Sequence, residues 1–190
     1  MIELYALCDQ ASLDQRHLTL EDFVDLARSH NASIIQYRNK SKDFDFITQQ
    51  LVTLRQLWDK TLIINDAILL HPFCDGVHLG QEDLLKYDKS PFFAIDKVRN
   101  IIGTQKVLGL STHNEEEILM ANKLDLDYIG LGAYRATNTK EDAAPLKEDL
   151  DRLAALSKHR VAAIGGVKFD DDFENVTYRV IGSALFGVKK

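Results

Sequence analysis

Eight short apolar segments recur along the chain at fairly even intervals, and they constrain the fold more than any other feature. They are rich in β-branched and aromatic residues, and most are apolar on both alternating faces. Strands that are buried on both faces of a parallel sheet have this character. The segments are, in order, IELYALC, SIIQYR, TLIIN, GVHLG, KVLGLS, YIGLGAY, RVAAIGG and YRVIGSAL.

Segments with helical periodicity separate most of these predicted strands. LTLEDFVDLARSH has one apolar face, and Thr19 can cap its amino terminus with Asp22 three residues later. NEEEILMANKL opens with Asn114 as a cap and three glutamates that interact favourably with the helix dipole. FDFITQQLVTLRQLWD and PLKEDLDRLAALSKH are further predicted helices, the second beginning near Pro145. Strands that alternate with helices indicate a parallel β/α architecture.

Two architectures fit this alternation, a closed barrel and an open doubly wound sheet. No glycine-rich dinucleotide fingerprint follows the first strand, where LYALCDQASL stands instead, and this favours the barrel. We therefore predict a single (β/α)8 TIM barrel formed by one domain over residues 1–190, with short loops. The segments AILLHPFCD and LFGVKK leave little room for full helices, so the carboxyl-terminal helix is expected to be truncated.

Composition excludes several functional classes. The net charge of -6 and the absence of a basic stripe argue against binding to nucleic acid or to a membrane surface. Cys8 and Cys74 have no metal-ligand spacing, and no signal peptide or membrane-spanning segment stands out. We expect a cytoplasmic protein with reduced thiols.

In a β/α barrel, the functional residues lie at the carboxyl ends of the strands. The second strand ends in QYRNK, which places Gln36, Arg38 and Lys40 at alternate positions and thus on one face. Core packing explains them poorly, because an unpaired buried charge costs several kcal/mol. The alternative is a strand that simply emerges into solvent.

Acidic residues follow the next two strands. Asn65 and Asp66 end the third, and Asp83 comes shortly after the fourth. Each of these alone is typical of a turn or a cap. Together at one barrel mouth, Asp66 and Asp83 would repel each other unless a divalent cation such as Mg2+ bound both of them with substrate phosphates.

Hydroxyl groups, a lysine and glycines follow the remaining strands. They are Ser111 after the fifth, Thr137, Thr139 and Lys140 after the sixth, Gly165 and Gly166 after the seventh, and Gly182 and Ser183 after the eighth. Barrels commonly bind phosphate through backbone N–H groups after strands seven and eight. Each motif alone is also compatible with an ordinary polar loop or turn. The whole set suits a ligand with two phosphate-bearing parts and a metal, and chemistry based on positioning and charge.

These strand ends, in this order, resemble those of the thiamine-phosphate synthase family. The motifs are QYRNK, LIIND, DGVHLGQEDL, GLSTHNEEE, DYIGLGAYRATNTK and AAIGGV, and they extend over nearly the whole chain. The resemblance implies a β/α barrel that joins 4-amino-5-hydroxymethyl-2-methylpyrimidine diphosphate to 4-methyl-5-(2-phosphoethyl)thiazole. It implies thiamine phosphate and pyrophosphate as products, with Mg2+ as cofactor.

The resemblance also implies roles for individual residues. Arg38, Lys40 and Lys140 would contact the diphosphate, and Asp66 and Asp83 would hold Mg2+. The pyrimidine diphosphate would also meet Gln36, Asn65 and Ser111, and the thiazole phosphate would meet Thr137, Thr139 and the backbone around Gly166 and Ser183. The implied mechanism is dissociative: pyrophosphate departs, and the thiazole nitrogen captures the resulting pyrimidine-methyl cation.

The chain departs from the family pattern at three places. Asn39 replaces a usual glutamate, Tyr134, Arg135 and Ala136 replace an apolar and proline-containing run, and FENVTYRVIGSAL lacks a usual Gly-Ala-Asp-Gly. Two alternatives stay open: a thiazole tautomerase with His78 or His113 as acid–base residue, and a degenerate barrel that binds a phosphorylated precursor without turnover. The expected partners are small-molecule substrates, and a homodimer is one option for the assembly.

Overall fold

A computed structural model describes residues 2–41, 43–136 and 145–187, and it confirms the predicted closed (β/α)8 barrel. The strands pair in chain order, all in parallel, and β8 closes the barrel on β1. Their bounds are β1 Glu3–Asp9, β2 Ile34–Arg38, β3 Thr61–Asn65, β4 Gly76–Leu79, β5 Val107–Thr112, β6 Tyr128–Leu131, β7 Arg160–Ala163 and β8 Tyr178–Ile181.

Helices cover the outside of the barrel. They are α1 Gln10–Arg16, α2 Leu20–Ser29, α3 Phe44–Leu57, α4 Gln81–Leu84, α5 Pro91–Ile102, α6 Glu115–Ala121 and α7 Asp149–Ala154. Short 3-10 helices, Ile68–Phe73 and Ser183–Phe186, stand in the connections after β3 and β8. These are the two connections in which the sequence left little room for a full helix. None of the helices in the described part of the chain is long and apolar enough to cross a membrane.

Two apolar clusters follow from the alternation of the strands. One face of each strand packs against the helices, where Phe23, Leu51 and Trp58 are among the fully buried side chains. The other face lines the barrel interior and includes Tyr5, Tyr128 and Tyr178. Because a strand alternates its side chains, the interior face of each strand continues into the barrel mouth.

The helix starts predicted at Thr19 and Asn114 are confirmed. The Thr19 side chain accepts from the Asp22 N–H, and the Asp22 side chain accepts from the Thr19 N–H, which forms a capping box. The Asn114 side chain caps α6 by accepting from the Glu117 N–H.

The helix predicted from Pro145 begins later, at Asp149. The preceding residues pair with the loop after β6: Leu146 N–H donates to Ala133 C=O at 2.8 Å, and Lys147 N–H to Tyr134 C=O at 3.0 Å. Lys147 also has φ 44, in the left-handed region. Tertiary pairing therefore overrides the helical propensity of this segment.

Candidate active site at the carboxyl ends of the strands

Arg38 and Asp9 form an ion pair across the mouth end of β1 and β2. The two residues are register partners, and Arg38 NH1 donates to Asp9 Oδ2 at 2.5 Å. Both side chains are mostly buried. Asp9 also accepts from the Ser12 N–H at 3.0 Å and so caps α1. The pair and the cap together fix the position of the guanidinium group.

Gln36 and Lys40, which alternate with Arg38 along the sequence, lie at different depths in the barrel. Gln36 is buried, and its Nε2 donates to the Tyr5 hydroxyl at 2.6 Å inside the barrel. Lys40 lies beyond the last residue of β2 and is exposed. These three residues therefore run from the barrel interior, through the mostly buried Arg38, to solvent.

Asp66 and Asp83 converge beside Gly80. Gly80 N–H donates to Asp66 Oδ1 at 3.2 Å, and a Cβ at Gly80 would lie 3.2 Å from Asp83 Oδ2. Asn65 Nδ2 donates to the other oxygen of Asp66. Burial raises the pKa of Asp66 above its ordinary value, and the charge of Asp83 raises it further. The fold thus brings the two carboxylates together, and the charge of Asp83 disfavours the ionised form of Asp66.

This pair of carboxylates fits a magnesium ion. No group of three or more His, Cys, Asp or Glu side chains that could hold a metal occurs in the described ranges. Mg2+ needs only one or two protein carboxylates, because substrate phosphates and water complete its coordination. A cationic group already contacts Asp83, since Lys86 Nζ lies 2.5 Å from Oδ1. A cation between Asp66 and Asp83 would relieve the repulsion that raises the pKa of Asp66.

Ser111 reaches the mouth from β5 and is bonded to two neighbours. Its hydroxyl lies 2.9 Å from His78 Nε2, and its carbonyl accepts from Gln81 Nε2 at 2.6 Å. His78 is buried on β4. His113 directly follows β5, and its Nδ1 lies 2.9 Å from Glu117 Oε2.

The glycine turn after β7 is held by the loop after β6. Gly165 and Gly166 have φ values of 86 and 71, which favour glycine. Arg135 N–H donates to Gly165 C=O at 2.8 Å, and Arg135 NH1 donates to Gly166 C=O at 2.7 Å. Because C=O and N–H of a trans peptide point in opposite directions, the N–H groups of Gly166 and Val167 point away from this loop. Anion-binding nests present successive N–H groups in this manner.

A second ion pair fixes Arg135 itself. Its NH1 and NH2 donate to the two carboxylate oxygens of Asp171 at 2.5 and 2.6 Å. The guanidinium also lies over the Tyr134 ring, 4.4 Å from its centroid. Arg135, one of the residues at which the sequence departs from the family pattern, thus connects the loops after β6 and β7.

The structure describes only some of the remaining predicted site residues. Ser183 is exposed and begins the 3-10 helix after β8. Thr137, Thr139 and Lys140 lie outside the described residues, so their predicted roles remain predictions.

Sequence reasoning missed several residues that shape this site. Asp9, Asp171, Tyr5 and Tyr128 were not recognised as site residues, since each acts through a partner that is distant in sequence. For Asp9 a signal was present, because it directly follows the first predicted strand, at the barrel end where polar side chains gather.

The protein is thus a closed β/α barrel with cationic, acidic and glycine-rich groups at the carboxyl ends of its strands. The sequence pattern of the family described as thiamine monophosphate synthase matches residues 4–185. The chain belongs to this family.

Individual relatives agree with this assignment. The chain is 34% identical over 172 residues to a thiamine-phosphate synthase of Persephonella marina, covering 87% of this chain and 77% of that protein. It is also 34% identical to a thiamine-phosphate synthase of Lawsonia intracellularis, covering 87% and 75%. The structure of a thiamine phosphate pyrophosphorylase from Pyrococcus furiosus superposes with a TM-score of 0.78 at 28% identity, covering 99% of this chain and 89% of that one.

Proposed function

We propose that this chain is an active thiamine-phosphate synthase. It joins 4-amino-5-hydroxymethyl-2-methylpyrimidine diphosphate to 4-methyl-5-(2-phosphoethyl)thiazole and releases pyrophosphate. The observation that supports this most is the convergence of Arg38, the Asp66–Asp83 pair and the Gly165–Gly166 turn at one barrel mouth. Such a mouth has groups for a diphosphate at one side and for a monophosphate at the other.

The diphosphate would lie on the side of β2, β3 and β4. Arg38 offers a planar set of donors that suits phosphate oxygens, and Asp9 holds it in place. Lys40, beyond β2, adds positive charge, and Asn65 adds an amide at the end of β3. Lys140 would add a further positive charge in its predicted role. On a chain of net charge -6, this local positive charge is what attracts an anionic substrate.

Asp66 and Asp83 would hold Mg2+ on the same side. When bound, Mg2+ supplies charge neutralisation on the departing pyrophosphate. The two carboxylates come from adjacent parts of the barrel mouth, and Gly80 holds Asp66 through its N–H.

The thiazole phosphate would lie at the opposite side of the mouth. The N–H groups of Gly166 and the following residue offer donors there, with Ser183 at the neighbouring strand end. Thr137 and Thr139 would complete this phosphate site from the loop after β6.

The proposed mechanism is dissociative. The bond between the pyrimidine methylene carbon and the diphosphate oxygen breaks, and its electron pair leaves with pyrophosphate. The thiazole nitrogen then donates its lone pair to the methylene cation and forms the new C–N bond. Negative charge grows on the leaving group, so Arg38, Lys40 and Lys140 stabilise the transition state more than the ground state.

The tautomerase alternative needs an acid–base residue at the mouth. His78 and His113 are the candidates, and each has a ring nitrogen 2.9 Å from a partner, Ser111 Oγ and Glu117 Oε2 respectively. The chain also keeps Asp66, Asp83 and Lys140, for which a tautomerase or a simple binder has little use.

A product assay separates these hypotheses. Purified protein is incubated with both substrates and Mg2+, and thiamine phosphate is measured by chromatography. A synthase forms it, whereas a tautomerase or a binder forms none.

A Lys140→Ala variant should lose rate more than substrate affinity, and an unchanged rate would contradict the leaving-group role.

Three further proposals concern the whole chain. Residues 1–190 form a single domain, which a single unfolding transition would support.

The free, buried thiols of Cys8 and Cys74 fit a cytoplasmic location. A homodimer is supported by apolar side chains exposed on the 3-10 helix after β3 and on α5, among them Leu69 and Phe93, and light scattering tests it.

A further inference from the structure

A continuous chain of hydrogen bonds crosses the barrel interior and joins two proposed substrate-binding residues. Five side chains from five strands take part, in the order Gln36, Tyr5, Tyr128, His78 and Ser111. Gln36 Nε2 lies 2.6 Å from the Tyr5 hydroxyl, and the three following contacts are each 2.9 Å.

The number of protons that the five side chains can donate sets the direction of the hydrogen bonds between them. Gln36 Nε2 can only donate, so the Tyr5 hydroxyl accepts from it. With Gln36 as donor, the single proton of Tyr5 is left for the Tyr128 hydroxyl, 2.9 Å away. In this order Tyr128 accepts from Tyr5, and its own proton is left for His78 Nδ1, 2.9 Å away. The opposite order would need Gln36 to turn its amide and present Oε1 to Tyr5.

The direction determines the tautomer of His78. Because Nδ1 accepts from Tyr128, the ring proton lies on Nε2, which donates to Ser111 Oγ at 2.9 Å. Ser111 then keeps its hydroxyl proton for another acceptor, and Gln36 keeps Oε1 as an acceptor.

We propose that Tyr5, Tyr128 and His78 are positioning residues that impose this order, so that the site offers Gln36 Oε1 as an acceptor and the Ser111 hydroxyl as a donor. This pair complements a ring that carries an amino group and an acceptor nitrogen, as an aminopyrimidine does. The identity of the ring rests on the proposed function, whereas the order of the protons does not.

Packing holds these hydrogen-bonded side chains in place. Tyr5, Tyr128, Gln36 and His78 are all buried, and an unpaired polar group there would be costly. A Cβ at Gly109 would lie 2.2 Å from Tyr128 Cζ, so the absence of a side chain at this position makes room for the phenol ring. Burial raises the pKa of Tyr5 and of Tyr128, which keeps both hydroxyls protonated.

Nitrogen-15 NMR of the histidine side chains tests the proton order without any substrate. In the wild-type protein, we expect the ring proton of His78 on Nε2. Tyr128→Phe should shift the Nδ1 resonance, because it removes the donor to that atom. Tyr178→Phe is a matched control: its ring packs against Tyr5 and Tyr128, but its hydroxyl accepts from Arg160 NH1 instead. A proton on Nδ1 in the wild type, or an Nδ1 resonance that Tyr128→Phe leaves unchanged, would overturn the proposal.

Steady-state kinetics test the positioning role. Loss of one hydrogen bond in the chain corresponds to about a tenfold effect. Tyr5→Phe should therefore raise KM for the pyrimidine diphosphate about tenfold and leave KM for the thiazole phosphate unchanged. Tyr178→Phe should change neither constant. Equal effects on both substrates would reduce Tyr5 to a structural role and overturn its positioning role. Wild-type protein that makes no thiamine phosphate would contradict the proposed function alone, because the NMR result stands without it.

Discussion

Arg38 NH1 and Asp9 Oδ2 lie 2.5 Å apart between register partners of neighbouring strands. This ion pair holds a guanidinium group at the barrel mouth before any substrate arrives. A preorganised donor loses less conformational entropy when it binds an anion.

Arg38→Lys should lower kcat/KM for the pyrimidine diphosphate about 100-fold, because lysine cannot supply two parallel hydrogen bonds to a phosphate group. Asp9→Asn is the control. Asparagine can still cap α1 through Ser12, so we expect this variant to keep the fold and to lose less than about tenfold in kcat/KM. Wild-type kinetics in Arg38→Lys would contradict a direct phosphate contact.

Asp83→Ala should abolish Mg2+-dependent turnover. Its only described ion pair is with Lys86, which is 70% exposed, so the variant should remain folded. Mg2+ should raise Tm of the wild-type protein and leave Tm of Asp83→Ala unchanged, as measured by differential scanning fluorimetry.

Asp88→Ala provides the matched comparison for Asp83. Asp88 is also a carboxylate paired with a lysine, Lys97, at 2.8 Å in the same part of the chain. It should retain both activity and the Mg2+-induced rise in Tm. An Asp83→Ala enzyme with wild-type rates would remove Asp83 from the metal site.

Arg135→Gln should weaken binding of the thiazole phosphate. The guanidinium holds Gly166 C=O and Asp171 at once, so its loss loosens the glycine turn, which keeps only the backbone bond from Arg135 N–H to Gly165 C=O on this side. We expect KM for the thiazole phosphate to rise about tenfold, with little change for the pyrimidine diphosphate. Arg55→Gln removes an arginine of similar exposure, 36% against 38%, that pairs with Asp75 near the amino end of β4. A loss of thiazole affinity in both variants would show that the effect is only structural.

The Arg135–Asp171 pair also predicts a pH dependence of stability. The Arg135 side chain holds the pKa of Asp171 below its ordinary value of 3.8. Stability from a carboxyl with a depressed pKa is present above the unfolded pKa and is lost as pH falls through the folded pKa. The free energy of unfolding of wild type should therefore exceed that of Arg135→Gln at pH 7. The gap should close below pH 3.8. A gap that is constant with pH would contradict the ionic character of the pair.

Gly109→Ala should destabilise the barrel, because the new Cβ would lie 2.2 Å from Tyr128 Cζ in a packed interior. Overpacking of this kind costs about 1–3 kcal/mol, which lowers Tm by roughly 2–12 °C. At Gly187 a new Cβ would come no closer than 3.6 Å to another atom, so Gly187→Ala should leave Tm nearly unchanged. Equal melting temperatures for both variants would contradict the close packing around Tyr128.

Local sequence patterns predicted most of the fold. Short runs that are apolar on both faces located all eight strands, and the caps at Thr19 and Asn114 marked helix starts, because both signals depend only on nearby residues. The late start of α7 was not predictable in this way. Lys147 pairs with Tyr134, and that pairing exists only once the barrel has formed.

The candidate site was predictable only in part, for a similar reason. The residues at the carboxyl ends of the predicted strands indicated which polar groups lie at the barrel mouth, since parallel strands bring these ends together. The partners that hold those groups were missed: Arg135 and Asp171 are 36 residues apart, and Tyr5 and Tyr128 are 123 apart. Such contacts depend on barrel register and closure, which no local motif encodes.

The most direct test of the proposed function measures thiamine phosphate and pyrophosphate together in one reaction, with each substrate and Mg2+ omitted in turn. A synthase should form the two products in equal amounts, and only when both substrates and Mg2+ are present. No thiamine phosphate under the complete conditions, or pyrophosphate released without it, would contradict the proposed synthase activity.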